Sequence, residues 1–104
     1  MERMNNKNNW TVYILRCADQ TLYTGIAKDL FRRIAQHNNG TGAKYTRGRT
    51  PVKLVFAETM ACHGDALRRE YAIKKMSTTD KNRMIDQSCR TVDKRPRIDP
   101  VEQE

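Results

Sequence analysis

At 104 residues and 12.1 kDa the chain has material for one compact domain and none for a second core. Twenty Lys and Arg against twelve Asp and Glu leave a formal charge of +8, so polyanions, nucleic acid first among them, are the expected partners. The longest apolar runs, residues 12–15 and 54–57, fall far below the roughly 18 residues that cross a bilayer. The start, Met1-Glu2-Arg3-Met4 and an Asn/Lys run, lacks the apolar core of a secretion signal. A cytoplasmic protein with no membrane partner is therefore expected. Its three cysteines, Cys17, Cys62 and Cys89, are too few for a disulfide scaffold and should stay reduced.

Residues 1–9 hold four asparagines and almost nothing apolar, too little to offset the entropy of ordering them, so a flexible start is expected. Residues 10–17 and 21–26 are β-branched and aromatic runs around Ala18-Asp19-Gln20, which reads as a hairpin. Asp29 precedes residues 30–37 as an N-cap, with Leu30 and Ile34 one turn apart and Gly40 and Gly42 beyond, predicting a first helix. A third strand over 52–58 is entered through Pro51. Ala66, Leu67, Tyr71 and Ile73 predict a helix over 65–76, and Ser77 or Thr78 restarts a short third one ending near Asp86. From Gln87 the charges balance and no period persists, so residues 87–104 read as a flexible tail. The folded part is then residues 10–86, and residues 1–87 carry sixteen basic against eight acidic side chains, the whole net charge. The order ββαβαα predicts an α+β fold: a small three-stranded, mostly antiparallel sheet flanked by three helices.

The informative residues break the apolar pattern. Glu70 projects from the stripe of the second helix or its border, where burial is costly without a partner. On the first helix Arg33 and His37 are four apart beside Leu30 and Ile34. If these faces meet, a carboxylate, a guanidinium and an imidazole form a phosphodiester toolkit: a metal anchor, a clamp for charge and a proton carrier. The plainer reading makes Glu70 an ion pair with Arg33, Arg69 or Lys74, Arg32 and Arg33 a solvated face, and His37 a helix cap. Tyr13 and Tyr23 share a sheet face if three residues connect their strands, and lie on opposite faces with a two-residue Asp19-Gln20 turn. Gly25 would let a phosphate or another backbone approach closely. Between the first helix and the third strand, Lys44, Tyr45, Arg47 and Arg49 sit among three glycines, cations for phosphates and an aromatic ring for a base. A zinc module from Cys17, Cys62, His63 and Cys89 lacks paired ligand spacing.

These residues bring out a resemblance to the GIY-YIG endonuclease superfamily, within it the small single-domain bacterial YhbQ-like (UPF0213) branch. It spans about residues 10–86. The two signature triplets fall on Thr11-Val12-Tyr13 and Tyr23-Thr24-Gly25, with Thr11 in place of the first glycine and Thr24 in place of the usual aliphatic residue. Residues 28–37 match the family's Arg-bearing helix, and residues 42–49, 51–55 and 66–75 resemble the small-protein branch in particular. The resemblance implies that Glu70 binds a divalent metal, Mg²⁺ or Mn²⁺, that Arg33 neutralises the scissile phosphate, and that Tyr13 activates or orients the attacking water with Tyr23 assisting. His37 aligns with a position that is often basic or His, and Asn82 is a loose match for a late family asparagine. The implied activity is metal-dependent hydrolysis of DNA phosphodiester bonds, structure-directed or weakly sequence-specific, in DNA repair or processing. A monomer is expected, with targeting left to a protein partner or to the shape of the substrate. The alternative is a nucleic-acid-binding module that does not cut.

Overall fold

The computed structural model describes residues 9–93, with side chains through residue 88. Three strands, β1 (Trp10–Arg16), β2 (Leu22–Ala27) and β3 (Lys53–Met60), form an antiparallel sheet in the order β2-β1-β3. Helix α1 (Leu30–Asn38) follows β2, while α2 (His63–Lys74) and α3 (Thr78–Asp93) follow β3. The expected α+β fold and the order ββαβαα are those observed.

β1 is the central strand, and its apolar run is continuous because both of its faces are covered. Val12 and Ile14 point to one side, where they pack with Phe56, Ala66, Ile73 and Ile85 under α2 and α3. Tyr13, Leu15 and Cys17 point to the other, against Ala27, Val52 and the α1 residues Leu30 and Ile34. The two layers of helices thus lie on opposite faces of one sheet.

The hairpin takes the three-residue connection. Cys17 N–H donates to the Thr21 carbonyl at 2.8 Å, leaving Ala18, Asp19 and Gln20 as the loop. Gln20 adopts φ 74°, a left-handed conformation that a non-glycine residue seldom takes. Asp19 braces the turn by accepting from the Thr21 N–H at 3.1 Å and its hydroxyl at 2.6 Å. Tyr13 is therefore paired with Gly25 and Leu15 with Tyr23, which puts both phenols on one face.

Asp29 caps α1 by accepting from Arg32 N–H at 3.1 Å, and the Ser77 hydroxyl accepts from Asp80 N–H at 3.0 Å ahead of α3. Two details differ from the sequence reading. Leu67 and Tyr71 are 43% and 65% exposed, so the inward stripe of α2 is Ala66 and Ile73 alone. α3 runs past the expected end near Asp86 to Asp93, so residues 87–93 of the expected tail are helical. The rest of that tail and the expected flexible start through residue 8 lie outside the described residues.

Candidate active site

The site gathers where β1, β2 and α1 meet. Tyr13 and His37 are both fully buried, and the Tyr13 hydroxyl lies 2.9 Å from His37 Nε2. The other ring nitrogen, Nδ1, is 2.8 Å from the hydroxyl of Thr46, itself fully buried. Tyr23 packs edge-on to His37 with ring centroids 5.1 Å apart, and the two tyrosine rings are 6.3 Å apart.

Gly25 makes this packing possible. A Cβ there would sit 2.7 Å from the Tyr13 hydroxyl oxygen and 3.0 Å from Tyr23 Cε2. The Tyr13 ring thus leans across the bare backbone of the edge strand, and no other residue leaves room for it. The space beside Gly25, where a phosphate or another backbone was expected, is filled by phenol rings of the same chain.

Burial and three neighbouring groups set the charge state of that phenol. Burial, foremost, and the neighbouring Tyr23 push the Tyr13 pKa up to about 12; the Arg33 guanidinium opposes them through a hydrogen bond and its charge, and the Glu70 charge adds to the rise. Arg33 and Glu70 therefore bear on one buried oxygen, although α1 and α2 cover opposite faces of the sheet. Burial and then the Arg33 charge lower the His37 pKa below 6.5, which keeps the imidazole neutral at pH 7. Arg33 also donates to Gln36 Oε1 at 3.0 Å.

Glu70 pairs with Lys74 at 3.1 Å, one of the partners expected from sequence. Its side chain is only 19% exposed, whereas the other ion-paired carboxylates among the described residues, Asp19, Glu58, Asp65 and Asp80, are 38–53% exposed. Among the described residues no group of three His, Cys, Asp or Glu side chains comes together. A cation held at Glu70 would thus have one protein carboxylate and complete its shell with water and substrate oxygens, which suits Mg²⁺ or Mn²⁺ and not zinc. Cys17 lies buried on the α1 face and Cys62 is exposed ahead of α2, while the Cys89 side chain lies outside those described.

The basic loop faces two ways. Lys44, Tyr45 and Arg47 are exposed, as is Arg32 on α1, so these candidate phosphate and base contacts lie on the surface. Arg49 is partly engaged within the protein, pairing with Asp19 at 2.6 Å and lying 4.4 Å over the Tyr45 ring, which stacks on Tyr23. A depression of about 300 Å³ lined by Tyr23, Thr24, Tyr45, Lys74 and Lys81 opens beside them. Asn82, the loose match, accepts from Arg16 at 3.3 Å at the far end of β1. The inner side of the loop, Gly42, Ala43 and Thr46, packs on His37. Nothing in the sequence marks Thr46, since a lone threonine in a glycine-rich loop carries no pattern.

The fold is that of a nuclease-type domain: residues 9–84 match the family model of the GIY-YIG catalytic domain. The chain belongs to the GIY-YIG family. Its similarity within that family is to UPF0213 proteins. That of Desulfotalea psychrophila is 51% identical over 80 residues, 76% of this chain and 73% of the relative. One from Staphylococcus epidermidis is 51% identical over 76 residues, 73% of this chain and 93% of its own. The solution NMR structure of a UPF0213 protein from Bacillus halodurans is 43% identical with a TM-score of 0.51, covering 76% of this chain and 84% of that one. The family is a nuclease superfamily, generally dependent on divalent metals, so the domain points to an endonuclease-type enzyme with DNA as its substrate. No helix among the described residues is long and apolar enough to cross a membrane.

Proposed function

We propose that the protein is a divalent-metal-dependent endonuclease that hydrolyses DNA phosphodiester bonds in repair or processing, guided by substrate shape more than by sequence. The observation that carries this reading is the buried Tyr13–His37 hydrogen bond, with Arg33 and Glu70 both acting on the same phenol.

With its pKa near 12, Tyr13 holds no standing phenolate at neutral pH, so it serves as a relay. Bound DNA must open a path to the Tyr13 oxygen, which is fully buried in the free protein; the attacking water then gives it a proton as the Tyr13 proton passes to Nε2 of the neutral His37. The phenol is regenerated, the water becomes the nucleophile and His37 becomes imidazolium. Arg33 clamps the charge that builds on the phosphoryl oxygens, and Tyr23 orders the Tyr13 and His37 rings. Glu70 would hold Mg²⁺ or Mn²⁺, which when bound supplies Lewis-acid polarisation of the phosphodiester. Lys44, Tyr45, Arg47 and Arg32 bind the flanking backbone and bases, and a partner protein or the shape of the DNA supplies targeting.

The test is a panel of end-labelled linear, nicked, flap and branched DNAs with Mg²⁺ or EDTA. Glu70→Ala should lower cleavage by about 10³-fold, and Arg33→Ala by about 10²–10³-fold, with most DNA binding retained. Turnover that survives Glu70→Ala or EDTA would refute the mechanism, and binding that never generates new ends would make the domain a non-cutting module.

A further inference from the structure

Resting on the relay just described, the geometry points to Thr46 as the residue that fixes the tautomer of His37, and with it the direction in which the Tyr13 proton moves. The Thr46 hydroxyl has one proton and two neighbours, the Ala43 carbonyl oxygen at 2.9 Å and His37 Nδ1 at 2.8 Å. Given to the carbonyl, that proton leaves the Thr46 oxygen to accept from an Nδ1–H, and Nε2 is then a bare acceptor 2.9 Å from the Tyr13 hydroxyl. All three contacts are satisfied, in a chain running from Tyr13 through His37 and Thr46 to a backbone carbonyl.

The opposite tautomer fits worse. An Nε2–H would donate to the Tyr13 oxygen, leaving the Tyr13 proton to find another acceptor in a fully buried position. One group does favour it: the Ala43 N–H faces Nδ1, at a long 3.4 Å. Thr46 outcompetes this weak donor by offering an acceptor at shorter range. The loop holds the arrangement tightly, since a Cβ at Gly42 would lie 2.5 Å from Nδ1 and 2.8 Å from His37 Cα. The titratable groups facing the imidazole are Tyr13 from β1, Tyr23 from β2 and Arg33 from its own helix. None of these reaches Nδ1 in place of Thr46.

Thr46 is thus a positioning residue that acts through His37. Its removal makes a sharp forecast, because Thr46→Val, nearly the same in shape, leaves Nδ1 facing only the Ala43 N–H. The ring should then reverse to Nε2–H and turn the Tyr13–His37 hydrogen bond around.

The experiment is long-range ¹H–¹⁵N NMR of the full chain at pH 7.5, in which the two histidines, His37 and the exposed His63, are resolved and the nitrogen shifts report which atom is protonated. Wild type and Thr46→Ser should show Nδ1–H at His37, and Thr46→Val should show Nε2–H with His63 unchanged. An Nε2–H in wild type, or an Nδ1–H that survives Thr46→Val, overturns the inference; the wild-type and serine spectra decide it even if the valine variant fails to fold. In the cleavage assay Thr46→Val should lose about 10²-fold in kcat with KM held, and Thr46→Ser should recover most of it. A reversed ring with undiminished cleavage would leave Thr46 as the tautomer-setting residue and sink the proton relay, so the two failures are separable.

Discussion

Gly25→Ala is the most direct probe of how the site is packed. The new methyl would meet the Tyr13 hydroxyl oxygen at 2.7 Å, its Cζ at 2.9 Å and Tyr23 Cε2 at 3.0 Å, each well inside van der Waals contact. Tyr13 has nowhere to retreat, because its ring is fully buried and its hydroxyl is tied to His37. Overpacking of this kind costs about 1–3 kcal/mol. Replacing glycine within a strand returns about 0.5–1 kcal/mol of backbone entropy, leaving a net loss of up to about 2.5 kcal/mol. Gly64→Ala is the matched control: it lies in α2, its added methyl would meet nothing closer than 3.7 Å, and it should stabilise by up to about 1 kcal/mol. Urea denaturation of the two variants should give opposite signs, and Gly25→Ala should also lose cleavage, since both phenols must shift. A Gly25→Ala protein with wild-type stability and turnover would refute the packing account.

Other consequences follow from the charges. Because burial holds the Tyr13 pKa near 12 against an ordinary 10.0, the fold favours the neutral phenol. That preference is intact below pH 10 and is lost between pH 10 and about 12, removing about 3 kcal/mol in a pH series of denaturation curves that Tyr13→Phe should flatten. His37 has the opposite sense: with its pKa held below 6.5, the neutral ring is favoured above 6.5 and forfeited as pH falls toward the folded value. The pH–rate profile should therefore break on its acid side below 6.5, and a break above 7 would count against His37 as the acceptor. Removing the exposed charges with Lys44→Ala and Arg47→Ala should weaken DNA binding in fluorescence anisotropy. The slope of log affinity against log salt should fall by about one for each phosphate that is no longer neutralised.

The element order was legible because each segment has a local cause: the apolar run of β1, the Asp29 cap, and the Ala66 and Ile73 spacing of α2. The register of the hairpin was open. The chain places a left-handed conformation on Gln20, with no glycine or asparagine to mark it, and the shared face of Tyr13 and Tyr23 depends on that residue. Leu67 and Tyr71 read as stripe residues because periodicity cannot tell which flank of a helix the sheet will cover. Glu70 stood out as a carboxylate at an apolar border, and among the described residues it is the least exposed of the ion-paired acids. Thr46 was invisible, since its significance comes from its meeting with His37, nine positions earlier in the chain, that only the folded loop creates.

The split of Arg33 and Glu70 between helices on opposite faces has a consequence during synthesis. A hairpin that has docked only α1 carries the phenols, imidazole and guanidinium without the acid, and α2 is made only after β3. The carboxylate therefore joins the phenols, imidazole and guanidinium only when the later layer of helices has packed.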